Sequence, residues 1–428
     1  MALETPPNGV GTTLSASITN VATTCSLASA TGFTNAQYHV LIADGTNSEI
    51  ALATALSGTT LTITRAVEAW NGAQTAFAFS AGASITVVPT VGSVVALAQG
   101  YSPQSQAGKN AIINGGMDIW QRGTSFASVA SATTYCLDRW CYNTAATAGT
   151  FTLSQVASGI AGYQYALRVQ RTSGSAVVSP ITVATSLETM NSVPLAGQPV
   201  TLSVELQAGA NFSAANLSVA LDAGTGTDQN VLTPYTGATT ALSGSPAPST
   251  TAQRFSFTGT VPATATELGM TVTYTPIGTA GTDDYFDITG VQLELGSVAT
   301  PFSRSGGSIG GELALCQRYY WQTAYNAAYG DTPLGSGFAY STTAVDLIIP
   351  FPVPMRAQPS VTASNGTNYF YAEGAWGAAY ANTIGSWPTL TPLLALGRMT
   401  VSGVTAGQGC RAMMTASASS MVTVNAEL

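Results

Sequence analysis

Charged residues are scarce along this chain of 428 residues. Only 7% of its residues are charged, Lys109 is the single lysine, and the formal net charge is −8. Because phosphate contacts need clustered Lys and Arg and no basic run occurs, nucleic-acid binding is excluded. A soluble monomer usually has about 25% charged residues. We therefore expect much of the surface to be hidden against other copies of the chain or other subunits.

Long uninterrupted apolar runs are also missing. The first residues have neither the basic region nor the apolar region typical of a signal peptide. The most apolar window, residues 76–98, is broken by Ser, Gly and Pro, so it does not make a membrane span. We expect a soluble protein that is made in the cytoplasm and does not insert into membranes.

Cysteine and histidine are too few for several kinds of site. The five cysteines are an odd number without a Cys-x-x-Cys motif, which predicts a reducing compartment and buried free thiols. His39 is the one histidine and lies in an apolar strand pattern. A Ser-His-Asp or Cys-His unit would have to use it, and zinc lacks the clustered ligands it needs. We predict that the protein is not an enzyme.

The sequence is rich in the period-two alternation of β-strands. Residues 200–206 place Val200, Leu202, Val204 and Leu206 on one face and polar residues on the other. Later segments repeat this pattern at spacings typical of a two-sheet sandwich. The predicted fold class is all-β, with a small N-terminal β-domain, a central jelly-roll-like β-sandwich and a C-terminal β-sandwich tip domain.

Two changes of composition predict the domain boundaries. Residues 100–109 have the Gly, Ser, Pro and Gln content of a linker. Residues 312–320 predict a helical turn that becomes a strand. We therefore expect the N-terminal domain at 1–99, the sandwich at 110–311 and the tip domain at 312–428.

Three local features predict details of the backbone. Residues 91–99 share an apolar face that predicts a short helix. Alternate prolines after Asp346 predict an edge strand or an extended arm, because proline has no N–H to donate. The apolar face of residues 285–295 changes phase at Gly290, with Phe286 and Ile288 on one side and later apolar residues on the other, which predicts a β-bulge.

The most informative motif spans residues 110–124 and continues at residues 138–140. Its Asn-Gly-Gly segment permits backbone angles closed to most residues. Each half places an arginine beside a tryptophan, so each cation can stack on an indole or pair with a carboxylate. A structural brace at a sheet corner is favoured over a ligand site, because such ion pairs are more often structural. The motif residues are Asn114, Trp120, Arg122, Asp138, Arg139 and Trp140.

This motif resembles a β-sandwich module of bacteriophage tail-fibre and receptor-binding proteins. Residues 287–302 are similar to the closing strand of that module, and residues 312–320 to its exit. The resemblance, over roughly residues 110–320, implies a virion fibre or adhesin with a carbohydrate-binding-like sandwich that attaches to host cell-surface glycan. Two alternatives stay open: a tail spike that cleaves polysaccharide, and a capsid decoration or head-fibre protein.

A second resemblance concerns the start of the chain. Residues 49–53, 61–68 and 82–87 resemble a small β-domain near the N-termini of phage fibre and tail proteins. The resemblance implies that residues 1–99 anchor the chain to other virion proteins of the tail, baseplate or capsid. Because phage fibres that resemble this chain are threefold and its charge is low, we expect a homotrimer in the virion.

The densest carboxylates are Asp283, Asp284, Asp287 and Glu294. Three interpretations stay open, namely a glycosidase acid and nucleophile, a structural calcium site, or loop solubility. The resemblance implies calcium, since carbohydrate-binding sandwiches often carry an ion near such a closing strand. Asp284 and Asp287 are its predicted ligands, and no other cofactor is expected.

Aromatic residues concentrate between positions 365 and 387, among Gly and Asn. Sugar binding needs aromatic faces that stack on pyranose rings, beside polar groups that reach the hydroxyls. Packing of the same rings along a fibre tip or trimer axis fits equally well. The predicted glycan-binding residues are Tyr369, Tyr371, Trp376, Tyr380 and Trp387.

Overall fold

Strands dominate the structure, and the predicted all-β fold class is confirmed. The structure, a computed structural model, describes residues 10–34, 38–68, 75–88, 108–128, 132–323, 331–417 and 419–428. The chain divides into two compact units, residues 1–103 and 104–428. The predicted helix at 91–99 and most of the predicted linker lie outside the described residues. Within the described ranges, no helix has the length and apolar character needed to cross a membrane.

The first unit is a six-stranded antiparallel sheet of order β1-β6-β3-β4-β5-β2. Alternating Val40 and Ile42 of β3 are fully buried, as the strand pattern requires. Glu49 on β4 forms a buried ion pair with Arg65 on β5. The strands are β1 (Gly11–Thr13), β2 (Thr24–Ser26), β3 (Tyr38–Ala43), β4 (Ser48–Ser57), β5 (Thr60–Glu68) and β6 (Ser84–Val87).

The second unit begins with a sandwich of two six-stranded antiparallel sheets around one core. One sheet has the order β16-β13-β18-β11-β10-β7 and the other β15-β14-β17-β12-β9-β8. The strands are β7 (Ser125–Ala127), β8 (Thr134–Tyr135), β9 (Cys141–Thr144), β10 (Phe151–Ala157), β11 (Tyr165–Arg171), β12 (Ile181–Ser186), β13 (Pro199–Ala208), β14 (Ser218–Gly224), β15 (Thr239–Gly244), β16 (Gln253–Thr260), β17 (Glu267–Tyr274) and β18 (Tyr285–Leu295). A helical turn, α1 (Thr189–Ser192), and a 3-10 turn, Val193–Leu195, lead into β13.

The predicted bulge at Gly290 is confirmed. Ser203 of β13 pairs with Gln292, and Glu205 pairs with Thr289, so Val204 faces two residues of β18. Gly290 has φ of +59°, which a glycine adopts without strain. The extra residue at the bulge returns the later apolar side chains to the face of Phe286 and Ile288. The prediction that the two sets lie on opposite faces was therefore wrong. Phe286, Ile288, Val291 and Leu293 all lie in the sandwich core.

The sandwich continues through a short helix into a second group of sheets. Helix α2 (Ile309–Gln317) is capped by Ser308, whose side chain accepts a hydrogen bond from the N–H of Gly311. Strand β19 (Tyr320–Gln322) follows at once. The predicted change from helical turn to strand is therefore confirmed.

The C-terminal region has a seven-stranded sheet of order β24-β23-β27-β20-β21-β26-β25 and a three-stranded sheet of order β19-β28-β22. Residues of both sheets share one core. The remaining strands are β20 (Thr332–Ser341), β21 (Ala344–Pro350), β22 (Ser360–Ala363), β23 (Phe370–Gly374), β24 (Gly377–Ala381), β25 (Ser386–Leu390), β26 (Leu394–Thr400), β27 (Gly409–Met414) and β28 (Val422–Asn425).

The seven-stranded sheet is strongly curved. Its two edge strands, β24 and β25, are joined by residues 382–385 alone. A connection this short spans about 18 Å at most, whereas seven flat strands at about 4.8 Å spacing would separate their edges by about 29 Å. The sheet therefore curls around the core, and its outer face turns through a wide angle.

The prolines after Asp346 predicted an edge strand or an extended arm. The edge strand is wrong for β21, whereas residues 351–359, which hold the later prolines, lie outside the strands. Strand β21 pairs with β20 on one side and β26 on the other. Its one proline, Pro350, is its last residue, so the inner ladder loses no donor. Proline position along the strand, rather than proline content, decides this placement.

Candidate functional site

The motif around Asn114 is a hydrogen-bonded hub. Asn114 is fully buried and has φ of +58°, a left-handed conformation that asparagine tolerates better than most residues. Its Oδ1 accepts from the N–H groups of Asp118 and Ile119, each at 3.0 Å. Its Nδ2 donates to the carbonyls of Ile119 and Asp138, each at 2.9 Å. One side chain thus fixes both halves of the motif.

The glycine that follows allows this hub to approach the sandwich. A Cβ on Gly115 would lie 2.0 Å from the carbonyl oxygen of Val291 on β18. The N–H of Val291 donates to the carbonyl of Gly115 at 2.9 Å. On the other side, the N–H of Asn114 donates to Glu312 of α2, and burial raises the pKa of Glu312. The motifs at 110–124, 287–302 and 312–320 are therefore joined directly.

Glu427 closes a buried ionic group that we call the junction cluster, made of Arg122, Asp138, Arg139 and Glu427. Its Oε1 accepts from Nη2 of Arg122 at 3.0 Å, and its Oε2 accepts from Nη1 of Arg139. All four side chains are at most 10% exposed. The sandwich supplies the two arginines, and the segment after β28 supplies the glutamate. The cluster therefore joins the sandwich to the C-terminal sheets.

The arginines of the junction cluster stack on tyrosines. The guanidinium carbon of Arg122 lies 3.7 Å from the ring centre of Tyr320, and that of Arg139 lies 3.5 Å from Tyr319. Of the two alternatives that the motif predicted, pairing of the arginines with a carboxylate is confirmed, and stacking on the neighbouring tryptophans is wrong. The indole N–H of Trp140 donates to the carbonyl of Asn114 at 3.2 Å, inside the core.

Asp138 is the fourth member of the junction cluster. It accepts from the backbone N–H of Gln121 at 2.7 Å and from the side-chain amide of the same residue. Burial raises the pKa of Asp138 to about 6, against the opposing effect of Arg122. The cavity beside Arg139 has a volume of about 10 Å³, which holds one water at most. The cluster thus links the sandwich to the C-terminal segment through buried hydrogen bonds and ion pairs.

The carboxylates predicted as calcium ligands face arginines. Asp284 is fully buried, 3.2 Å from Nη1 of the equally buried Arg171, and it also accepts from the hydroxyl of Tyr274. Asp287 receives two hydrogen bonds of 2.8 Å from Arg168. Over the described ranges, no group of three or more His, Cys, Asp or Glu is placed to hold a metal ion. These residues do not fit a calcium ion, and calcium binding stays an untested prediction.

The thiols behave as buried apolar groups. All five cysteines fall within the described ranges and are free, and four of them are buried. Burial raises the pKa of Cys136 and of Cys141 to about 12. The prediction of free thiols is confirmed, and at neutral pH these two are protonated and unreactive.

The predicted glycan-binding aromatics separate into two sets. Tyr371 and Tyr380 are register partners on β23 and β24, with ring centres 5.3 Å apart. Both lie on the face of the sheet opposite to Phe370 and Ala372, and Tyr371 is itself buried there, with 7% of its surface exposed. Tyr380 is 50% exposed, which leaves an aromatic ring available at the surface.

The other three aromatics pack inward. Tyr369, Trp376 and Trp387 are partly buried against the core of the curved sheet. Trp376 covers Gly374, and Trp387 covers Gly397 on the neighbouring strand, since a Cβ on either glycine would meet the indole within 3.0 Å. The indole N–H of Trp376 is buried without a hydrogen-bond partner. All three keep partly exposed surfaces, and glycan binding by them stays a prediction.

Charged groups surround the two outward tyrosines. The hydroxyl of Tyr371 donates to Asp331 at 2.9 Å. Burial and this hydrogen bond raise the pKa of Tyr371 to about 12, so it stays a neutral donor. Glu373 and Arg411 pair across β23 and β27 at 2.5 Å and are 36% and 63% exposed. We call these five residues the tyrosine surface: Tyr371, Tyr380, Asp331, Glu373 and Arg411.

Sequence reasoning missed three members of this surface. Asp331 precedes β20, and Arg411 lies on β27, far along the chain from the tyrosines. Only the pairing of β23 with β27 brings Arg411 beside Glu373. No local pattern marks these residues, because cross-strand neighbours are set by register.

Comparisons with known proteins give weak likenesses. No family model and no curated protein sequence matches the chain. Among solved structures, the CBM22-1 xylan-binding domain of Paenibacillus barcinonensis Xyn10C is 12% identical, with a TM-score of 0.28 over 46% of this chain and 99% of that one. A putative sugar-binding protein from Bacteroides thetaiotaomicron is 9% identical, with a TM-score of 0.28 over 44% of this chain and 100% of that one. The enzymatically active domain of tailspike protein 4 from bacteriophage CBA120 is 9% identical, with a TM-score of 0.28 over 44% of this chain and 21% of that one. At these TM-scores the likenesses say nothing about function.

Proposed function

We propose that this chain is a bacteriophage virion protein, a tail fibre or receptor-binding adhesin, that attaches to glycan on the host cell surface. The three ordered motifs that suggest a fibre module support this role, because they meet at one junction in the structure. The N-terminal unit would attach the protein to other virion proteins of the tail, baseplate or capsid. The assembled protein would be a homotrimer without catalytic activity.

The tyrosine surface carries the glycan-binding part of the proposal. A half-exposed ring on Tyr380 offers a face for a pyranose, and Tyr371 supports it from the neighbouring strand. The exposed Glu373 and Arg411 supply acceptors and donors for sugar hydroxyls at the same surface. The net charge of the three ionised groups is −1, which favours neutral or mildly basic sugars over strongly acidic ones.

Avidity would make a weak site sufficient for attachment. A shallow aromatic surface binds a single sugar weakly, but three copies in one trimeric fibre raise the overall affinity by about 10² to 10⁴ through effective concentration. The proposal therefore needs only millimolar to micromolar affinity for each site.

Two exposed side chains of the second unit provide a test and its control. Tyr380 is 50% exposed and belongs to the tyrosine surface, whereas Ile277 is 64% exposed and lies between β17 and β18, outside that surface. Tyr380→Ala should reduce binding to an array of bacterial capsule and lipopolysaccharide glycans at least tenfold, and Ile277→Ala should leave this binding unchanged. Equal binding by wild type and Tyr380→Ala would remove the tyrosine surface from the proposal.

Cleavage and location are tested separately. Incubation of the protein with the bound polysaccharide should leave chain length unchanged, and shortened chains would favour a tail-spike depolymerase. Labelling on intact particles by electron microscopy should place the protein on the tail. Label on the capsid would favour a decoration or head-fibre protein.

A further inference from the structure

A second outward patch lies on the curved sheet. We call it the apolar sheet face: Phe338 and Tyr340 of β20 and Ile348 of β21. These side chains are 43%, 59% and 42% exposed, although each sits in the middle or second half of a strand that is paired on both sides. Phe338 pairs with Asp346, and Ile348, two residues further along β21, pairs with Ser336. Phe338 and Ile348 are therefore diagonal neighbours on the same face of the sheet. Leu396 of β26 pairs with Ile348 and extends the patch.

This face departs from the usual pattern of a sheet with one solvated side. The inner residues of β21, Val345, Leu347 and Ile349, are fully buried in the core. The outer positions of such a strand normally carry polar residues. Here the outer side of β21 carries Ile348 and the single charge of Asp346. A chain with only 7% charged residues thus leaves an apolar surface on a rigid central strand.

The charges on this face neutralise each other. Arg398 donates to both oxygens of Asp346, at 2.6 and 2.8 Å. Its guanidinium carbon lies 4.0 Å from the ring centre of Tyr340. Because the pair is already satisfied within the chain, another surface can cover it without leaving an unpaired charge.

We propose that the apolar sheet face is the contact between copies of this chain in the trimer, each face meeting those of its neighbours. The inference rests on the proposed trimer and names its surface. A face without net charge does not repel its own copy, whereas a charged partner would find no complement here. Asp346 and Arg398 are 5% and 33% exposed, against 36% and 63% for Glu373 and Arg411, so this face offers sugar hydroxyls fewer accessible partners than the tyrosine surface.

The exposed area is of the right size for the centre of such a contact. Aromatic side chains bury about 150 to 250 Å² each when fully covered, so the exposed fractions of Phe338, Tyr340 and Ile348 leave about 250 to 300 Å² of apolar area. A standard interface takes about 800 Å² from each partner, about 60% of it apolar. Leu396, which pairs with Ile348, supplies part of the remainder.

The curvature of the sheet keeps the two proposed surfaces apart. Tyr380 lies on edge strand β24, four strands from Ile348 on β21, or about 19 Å along the sheet. Because the sheet curls, its outer face at β24 points in a different direction from that at β21. One face can then contact neighbouring copies while the tyrosine surface remains open.

The first experiment measures mass in solution. Light scattering of the full chain should give three times its 43.5 kDa mass. The double variant Phe338→Gln with Ile348→Gln should give the monomer mass with an unchanged circular dichroism spectrum. Ile277→Gln is the matched control, since Ile277 is 64% exposed outside the curved sheet, and it should remain a trimer.

The outcomes separate the two proposals. A monomeric wild type would overturn both the trimer and this contact. A trimeric wild type with a trimeric double variant would overturn the contact alone. Loss of glycan binding by a double variant that stays trimeric would assign the face to sugar instead.

A second variant covers the case in which the double variant misfolds. Tyr340→Cys treated with a short bismaleimide should give covalently linked chains on a denaturing gel. Ile277→Cys and the wild type, whose cysteines are buried or partly buried, should not. A folded Tyr340→Cys trimer that gives no linked chains would overturn the contact.

Discussion

Replacement of Glu427 by Gln should destabilise the second unit strongly. The substitution keeps the shape of the side chain but removes the charge that lies between Arg122 and Arg139. Both guanidinium groups are at most 10% exposed, so water cannot take over from the carboxylate. Removal of one partner from a buried ion pair costs about 3 to 5 kcal/mol. For a unit that spans residues 104–428, with an unfolding entropy of about 2.1 cal/mol/K per residue, this corresponds to a fall in Tm of about 4 to 7 °C.

Scanning calorimetry of the full chain measures this effect, and the chain offers a matched control. Glu373→Gln makes the same chemical change in the pair with Arg411, whose partners are 36% and 63% exposed. Exposed pairs contribute about 0 to 1 kcal/mol, so the Tm should fall by less than about 2 °C. Equal shifts for the two variants would refute the reasoning, because they would mean that Glu427 is not buried between the arginines.

Three further outcomes are expected. Burial raises the pKa of Asp138 to about 6 in the folded state, above its unfolded value of about 4. The folded state therefore binds the proton more tightly, which stabilises it by about 3 kcal/mol below about pH 4. This stabilisation is lost as the pH rises through about 6. Calorimetry between pH 4 and 7 should show that Asp138→Asn lacks this component, and identical pH profiles would contradict it. Gly115→Ala should lower the free energy of unfolding by about 3 kcal/mol or more, because its new Cβ would lie 2.0 Å from a backbone oxygen. Gly310→Ala, in open space on α2, should raise the free energy of unfolding by up to about 1 kcal/mol. Urea unfolding measures both. Removal of calcium with EDTA should leave the Tm unchanged because Arg171 and Arg168 already pair with Asp284 and Asp287, and a fall of several degrees would show a bound ion.

Local sequence patterns predicted the elements that depend on local chemistry. Period-two alternation marked strands such as residues 200–206, because side chains on a strand point alternately to its two faces. A glycine at a break in that alternation marked the bulge at Gly290, since only the backbone there had to change. The helical turn predicted from residue 312 begins earlier, at Ile309, because Ser308 caps α2 through a contact within one turn.

Tertiary structure decided which distant residues meet. Arg122 and Glu427 are 305 positions apart, and no spacing rule links them, because their contact depends on how the C-terminal sheets dock on the sandwich. The same holds for the prolines after Asp346, whose effect depended on where β21 ends, and for the aromatics between 365 and 387. Alternation alone shows that Tyr371 and Phe370 point to opposite faces, but only the curved sheet decides which face is the core. Register with β27 then places Arg411 beside Glu373 and creates the tyrosine surface, because the position of a side chain across a sheet is fixed by pairing rather than by its neighbours in sequence.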